Sequence, residues 1–295
     1  MAYALTAQDA AAIRLEGRES AQQQSVVEEI EIRLLLEGIR LRYGYDFREY
    51  AARPLRRSIH DAMASERIST ISNYQDRILH DEPTMHRFLR TVGVSVTSMF
   101  REAELMRFLR EEVVPVFRTY PSVRIWMVGC ATGEEVYSLA IMLQEEGLLR
   151  RASIYATDLN EDTVAVARAG AYPLDAVRTY EERYEASGGR AKLSDHYDVS
   201  GRTARFHRSL QTNVTWARHN LVSDTSFNDF HLIVCTNVLI YFRPSLQERA
   251  HRLFADSLVR LGFLALGKGE SLVFSPESSR YAQVREGVSL FRKVR

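Results

Sequence analysis

The amino-acid sequence predicts an α/β protein, a doubly wound sheet preceded by an all-helical unit and carrying a small β insertion. Three observations lead there. The apolar run V-R-I-W-M-V at 123–128 stops at G-C-A-T-G and resumes at helical spacing from Ser138 to Leu143, which reads as strand, tight turn and helix. Strand-like runs recur at 153–157, 214–216 and 230–235 with helical patterns among them, the alternation of a sheet covered by helices. Residues 26–92, by contrast, show helical spacing and no such strands.

Taken in order, residues 1–23 are rich in Ala, Gln and Ser without a sustained apolar stripe, and are expected to be a mobile leader or a frayed helix. The helical domain is expected over 24–92. Val27, Ile30, Leu34, Leu35 and Ile39 are predicted to share one buried helix face that Gly44 ends, followed by helices from Pro54, over 71–80 and over 83–92. The second domain takes residues 93–295. A short apolar start at 94–96 leads into a helix over Ala103–Phe117 and then the central strand. After the strand that ends at Asp158 comes a helix at 160–169. Residues 173–212 break the rhythm: alternating runs at 193–200 and 203–210 flank Ser200-Gly201-Arg202, a predicted β-hairpin. A helix from Pro244 to Leu261, a strand after Gly262 and a strand pair within 270–294 close the chain.

Composition narrows the function. With 295 residues, 45% of them hydrophobic, the chain can bury a substantial core, and a net charge of +1 gives no general basic field for nucleic acid. Cys130 and Cys235 are the two cysteines, and the sequence has neither CxxC nor an 18-residue apolar run, which places it in a reducing cytoplasm without membrane insertion. The eight histidines show no metal-ligand spacing, so no metal is expected. One local exception to the balanced charge is Arg40, Arg42, Arg48, Arg53, Arg56 and Arg57 against Asp46 and Glu49, either a solvated face or a docking face for an acidic protein.

The turn at 129–133 is the candidate ligand site. Gly129 and Gly133 let the backbone turn and approach a ligand, while Glu134 and Glu135 at the start of the next helix suit its dipole but repel a pyrophosphate. A cationic, hydroxyl-bearing ligand is therefore favoured, and S-adenosylmethionine, with sulfonium, ammonium and ribose, fits. Asp158, closing the second strand, is placed to accept both ribose hydroxyls, with a plain helix cap as the alternative.

T-S-M-F-R-E, G-C-A-T-G-E-E-V-Y-S, A-T-D-L-N, H-N-L and C-T-N-V-L-I-Y-F occur here in one order, and together they resemble the CheR family of chemotaxis receptor methyltransferases over about residues 26–294. The resemblance implies a Rossmann-like class I methyltransferase sheet with an all-helical N-terminal domain and a small inserted β-subdomain. It implies methyl transfer from S-adenosylmethionine to glutamate side chains on the cytoplasmic helical bundle of chemoreceptors, leaving S-adenosylhomocysteine. Carried over, Ser95, Thr97, Arg101, Glu135, Asp158, Asn220, Leu221, Thr236 and Asn237 surround the cofactor, with Asn220 and Leu221 at the adenine. Arg101 and Tyr241 fall closest to the transferred methyl, and Arg53, Arg56 and Arg57 become a docking face for an acidic receptor helix. A receptor C-terminal peptide is a further partner for the β-subdomain. Two positions depart from the family pattern: Thr236 stands where the family has arginine, and His231 where it has aspartate. Loss of a cationic donor at 236 gives the rival reading, a CheR-like protein that binds the cofactor as a regulator or scaffold without turnover.

Overall fold

The computed structural model describes residues 7–93 and 97–295, and it divides them into two compact units. The first reaches from the N-terminal helix to Phe88 but leaves out Glu49–Ala51, and the second holds Glu49–Ala51 together with Leu89–Arg295.

In the helical unit, α1 spans Ala7–Tyr43, α2 Ala52–Ser65, α3 Ile71–His80 and α4 Glu82–Val92, the last turn of α4 belonging to the second unit. One expectation fails on α1. The helix begins at Ala7, the second of the two readings of that segment, but it buries Leu35, Leu36 and Ile39 while Val27, Ile30 and Leu34 stay more than half exposed. The apolar residues of this helix cover two faces, and packing against α3 selects the one that Leu36 shares with Leu35 and Ile39. Thr70 caps α3 by accepting the N–H of Asn73, and the Tyr43 hydroxyl donates to the Ile78 carbonyl at 2.7 Å.

The second unit opens with a helical run over Ala103–Phe117, as expected, but it is α5 (Ala103–Phe108), a π turn at Leu109–Val113 and α6 (Val114–Phe117). Pro115 has no N–H to donate, and just before it the Val114 N–H reaches back five residues to the Leu109 carbonyl, the wider bond of the π turn. Then come β1 (Val123–Val128), α7 (Glu134–Glu145), β2 (Ala152–Asp158) and α8 (Glu161–Ala169). The insertion contains β3 (Ala171–Pro173), α9 (Leu174–Arg178), α10 (Glu181–Ala186), β4 (Tyr197–Ser200) and β5 (Thr203–Phe206). The hairpin is β4–β5 around Gly201-Arg202. It is shorter than the alternating runs, whose outer ends form 3-10 turns at Leu193–His196 and Arg208–Gln211, and β3 adds a strand that its three residues did not signal.

The chain returns through β6 (Val214–Arg218), β7 (Phe230–Cys235), α11 (Pro244–Ser257) and β8 (Leu258–Leu266), and ends in β9 (Tyr281–Gln283) and β10 (Leu290–Lys293). α11 stops four residues before the expected Leu261, and β8 starts before Gly262 rather than after it. Leu258 and Val259 extend the strand backwards, and Leu261 in the left-handed region (φ 63°) sits in an irregularity against Phe230 and Leu232 of β7.

Among the described residues the main sheet runs β6-β2-β1-β7-β8-β10-β9, parallel from β6 to β8 and antiparallel at β10 and β9. Period-two alternation explains why its strands are apolar throughout. Ile125 and Met127 of β1 pack in the core that holds Leu139 and Ile141 of α7, whereas Trp126 and Val128 pack in the one that holds Ala250 and Phe254 of α11. Loops at the carboxyl ends of β1, β2, β6, β7 and β8 therefore rise together from a rigid base.

Candidate active site

The loops after β1, β2, β6 and β7, together with Tyr50, Val92, Gly93, Thr97 and Arg101, line an open cleft at this end of the sheet. Every piece of its wall comes from the second unit.

At the turn after β1, Gly129 (φ 63°) admits no side chain, since a Cβ there would lie 2.5 Å from Cγ2 of Val238 in the loop after β7. Cys130 N–H donates to the Thr157 carbonyl, tying this turn to the end of β2. Asp158 completes the tie: one carboxylate oxygen accepts the Ala131 N–H at 2.9 Å and the other the Asn160 N–H at 3.0 Å. The cap of α8 is Asn160, which accepts from Asp162 N–H, so Asp158 is a cleft residue and not the helix cap. Burial raises its pKa while the amide donors oppose the rise.

The two adjacent glutamates separate. Glu134 is buried, accepts the Thr132 hydroxyl at 2.7 Å and does not line the cleft. Glu135 does, and its carboxylate accepts the hydroxyl of Thr236. Burial pushes Glu135 up to about 7; the Thr236 bond and the charge of Arg101 oppose that, and Glu102 and Glu270 add to it. At position 236 the short threonine hydroxyl therefore meets the acid directly. His231 is half-buried at the start of β7, where its Nδ1 accepts the backbone N–H of Arg124 at 3.0 Å, a capping bond away from the cleft. Burial, with the Arg124 charge, lowers its pKa.

Arg101 is placed by its neighbour. Phe100 is fully buried with a left-handed backbone (φ 50°), and its N–H donates to Ser138 Oγ of α7 at 2.9 Å. Arg101 is left exposed at the cleft, where its charge acts on both Glu135 and Tyr241. Tyr241 ends a 3-10 turn at Leu239–Tyr241, and burial raises its pKa against the opposing Arg101 charge.

Of the sequence-derived residues, the cleft gathers Thr97, Arg101, Glu135, Asp158, Asn220, Leu221, Thr236, Asn237 and Tyr241. Ser95 lies outside the described residues. Arg53, Arg56 and Arg57 are on α2 of the helical unit, and all three are exposed. Tyr50 and His219 line the cleft without having been singled out. The segment around Tyr50 pairs with the loop that bears Tyr241: Ala51 N–H donates to the Tyr241 carbonyl at 2.8 Å, Arg243 N–H to the Glu49 carbonyl at 2.9 Å, and the Tyr50 and Phe242 rings meet edge-on. A pairing across almost two hundred residues leaves no local signal; His219 was legible only as the residue before Asn220.

The donor set fits the ligand expected from the sequence. Two carboxylates stand at separate places in one cleft, Asp158 at the end of β2 and Glu135 in the first turn of α7, suited to a hydroxyl pair and to an ammonium. Among the described residues no group of three His, Cys, Asp or Glu side chains is arranged to hold a metal ion.

A seven-stranded sheet of this order, with carboxylates in place of a phosphate cradle at its first turn, is that of a class I methyltransferase using S-adenosylmethionine. The chain belongs to the CheR methyltransferase family: residues 95–288 match the profile of its S-adenosylmethionine-binding domain and residues 30–92 that of its all-alpha domain. It is 44% identical over 265 residues to a candidate methyltransferase of Pseudomonas putida called Cher3, covering 90% of this chain and 97% of that one. A chemotaxis protein methyltransferase of Listeria innocua is 28% identical over 232 residues, 78% of this chain and 86% of its own. Among solved structures, the N-methyltransferase NodS of Bradyrhizobium japonicum, in complex with S-adenosylhomocysteine, aligns over 57% of this chain and 62% of its own at 13% identity and a TM-score of 0.33.

Proposed function

We propose that this protein methylates glutamate side chains on the cytoplasmic helices of chemoreceptors, acting in the cytoplasm. The observation that carries the reading is Arg101, exposed at the mouth of the cleft with its charge felt by Glu135 and Tyr241. A cationic fork beside the methyl-transfer position is what an incoming carboxylate needs. The names of the relatives from Listeria and Vibrio, chemotaxis protein methyltransferases, support the chemotaxis setting.

The cofactor supplies a methyl group on a sulfonium. Everything else falls to the chain. Asp158 takes the ribose hydroxyls, Glu135 with Thr236 the ammonium, Asn220 and Leu221 the adenine edge, and Thr97 and Asn237 complete the enclosure. Ser95 joins them by the same family resemblance. A glutamate carboxylate is already ionised at neutral pH, so no general base is required and no proton is exchanged. A carboxylate oxygen would bond to the methyl carbon, and the bound cofactor would supply the leaving group, its sulfur keeping the electron pair of the methyl–sulfur bond. Opposite charges cancel in that step, which favours a cleft that excludes water. Arg101 holds the carboxylate in line and Tyr241 orients it.

Replacing Arg101 by Ala is expected to reduce methyl transfer at least a hundredfold while calorimetric affinity for S-adenosylhomocysteine changes by less than about threefold, the signature of an interaction made with the other substrate. Equal losses in both would move Arg101 into the cofactor shell. The rival reading, binding without turnover, rests on Thr236, and the Thr236–Glu135 bond is common to both readings, so methyl transfer is the measurement that separates them.

A further inference from the structure

The loop leaving β8 reads Gly267-Lys268-Gly269-Glu270 and was not singled out by the sequence. β8 lies parallel beside β7 with Leu266 opposite Cys235, so the loops beyond them run side by side. Glu270 is 4% exposed, and its carboxylate turns across the gap between the two loops. One oxygen accepts the N–H groups of Val238 at 2.9 Å and Leu239 at 2.7 Å; the other accepts those of Asn237 at 3.0 Å and Gly267 at 2.8 Å.

Three consecutive amides converge on one anion because Asn237 adopts a left-handed backbone (φ 59°) and Val238 returns to the right-handed region (φ −110°, ψ −50°). That alternation makes an anion-binding nest, the kind of concavity that elsewhere holds a phosphate. Here the protein's own carboxylate fills it. Gly267 is fitted to the same contact, since a Cβ there would lie 2.7 Å from the Glu270 carboxylate and 2.9 Å from the Asn237 nitrogen.

The clamp has two ends of functional interest. Asn237 lines the cleft directly, and the 3-10 turn that carries Tyr241 begins at Leu239, the last residue of the nest. The far end of that turn is fixed separately by the Ala51 N–H on the Tyr241 carbonyl. Releasing Glu270 therefore frees the stretch between those two anchors without touching β7.

We infer that Glu270 is a positioning residue for the cofactor cleft: by occupying the backbone nest at 237–239 it fixes Asn237 against the ligand and sets where Tyr241 stands. It touches neither substrate. Its effect on turnover rests on the reading of Tyr241 as a residue of the methyl-transfer site, whereas its effect on product affinity does not. By filling the nest it also denies that wall to an anionic ligand.

Glu270→Gln keeps the size but turns an amide NH2 toward two of the donors, so at least two of the four bonds are lost. S-adenosylhomocysteine affinity is expected to fall at least tenfold. Hydrogen exchange in peptides covering 236–241 should accelerate at least tenfold while that of β1 peptides holds its rate. As a control, Phe254→Ala in α11, matched for the loss in thermal midpoint, should leave product affinity within threefold of the unmodified protein. Affinity and local exchange within twofold in Glu270→Gln, or an equal affinity loss in Phe254→Ala, would overturn the inference. If Glu270→Gln does not accumulate, Glu270→Asp, which keeps the charge but is one methylene short, should show the same two changes in smaller degree, and none at all would count equally against it. A protein that binds product but leaves receptors unmethylated would contradict the proposed function and leave this test standing.

Discussion

At Glu135, burial and ligand binding pull in opposite directions. The carboxyl lines the cleft with one hydroxyl donor, and burial holds its pKa at about 7, so near neutral pH it is divided between acid and anion. A ligand ammonium beside it stabilises the anion and lowers that pKa, and binding then releases a proton. Since the free protein holds the proton more tightly than the complex, affinity should tighten as pH rises toward 7 and level off above it. We expect S-adenosylhomocysteine affinity to improve on the order of tenfold per pH unit between about pH 5.5 and 6.5. Calorimetry across that range checks it, and Glu135→Gln should remove the slope; a slope that persists in the variant would assign the proton to another group. The sequence made Glu135 visible as an acid at a helix start, but could not separate it from Glu134, because which of two adjacent side chains faces the cleft depends on the rotation of α7. Glu270 was less visible still: a lone acid after two glycines has no period or spacing to mark it, and its meaning comes from amides thirty residues upstream.

Elements were legible where one pattern dominated. β1, α3 and β7 fall on their expected residues because an apolar run or a capped amphipathic stretch admits a single reading. Where two readings competed, packing decided: α1 buries Leu35, Leu36 and Ile39 instead of Val27, Ile30 and Leu34, and α11 yields to β8 at Leu258. α2 carries the prediction at this scale. Its buried side holds Leu55, Ile59 and Met63, and its outer side presents Arg53, Arg56 and Arg57. Arg56 lies 3.7 Å from the half-buried Glu28 and Arg57 3.7 Å from the exposed Asp61, loose pairs at arginines that are themselves exposed to another anion. Reversing all three to Glu should leave S-adenosylhomocysteine binding unchanged and slow receptor methylation at least tenfold, and the unmodified protein's rate should fall as salt rises. A rate indifferent to both salt and charge reversal would make this side of α2 a solvated surface only.

Over the whole molecule, the loops after β1, β2, β6 and β7 bring Glu135, Asp158, Asn220 and Thr236 to one cleft that Arg101 also lines, and the helical unit carries the exposed arginines of α2. No helix among the described residues is long and apolar enough to cross a membrane. The central claim is the chemistry at the cleft mouth, and its most direct measurement is transfer of radiolabelled methyl from S-adenosylmethionine to membranes that carry the source cells' chemoreceptors. The account predicts label on receptor glutamates that mild alkali releases as volatile methanol, as a carboxyl methyl ester must. Label that survives alkali, or a protein that binds S-adenosylhomocysteine yet transfers nothing to those membranes, would contradict it.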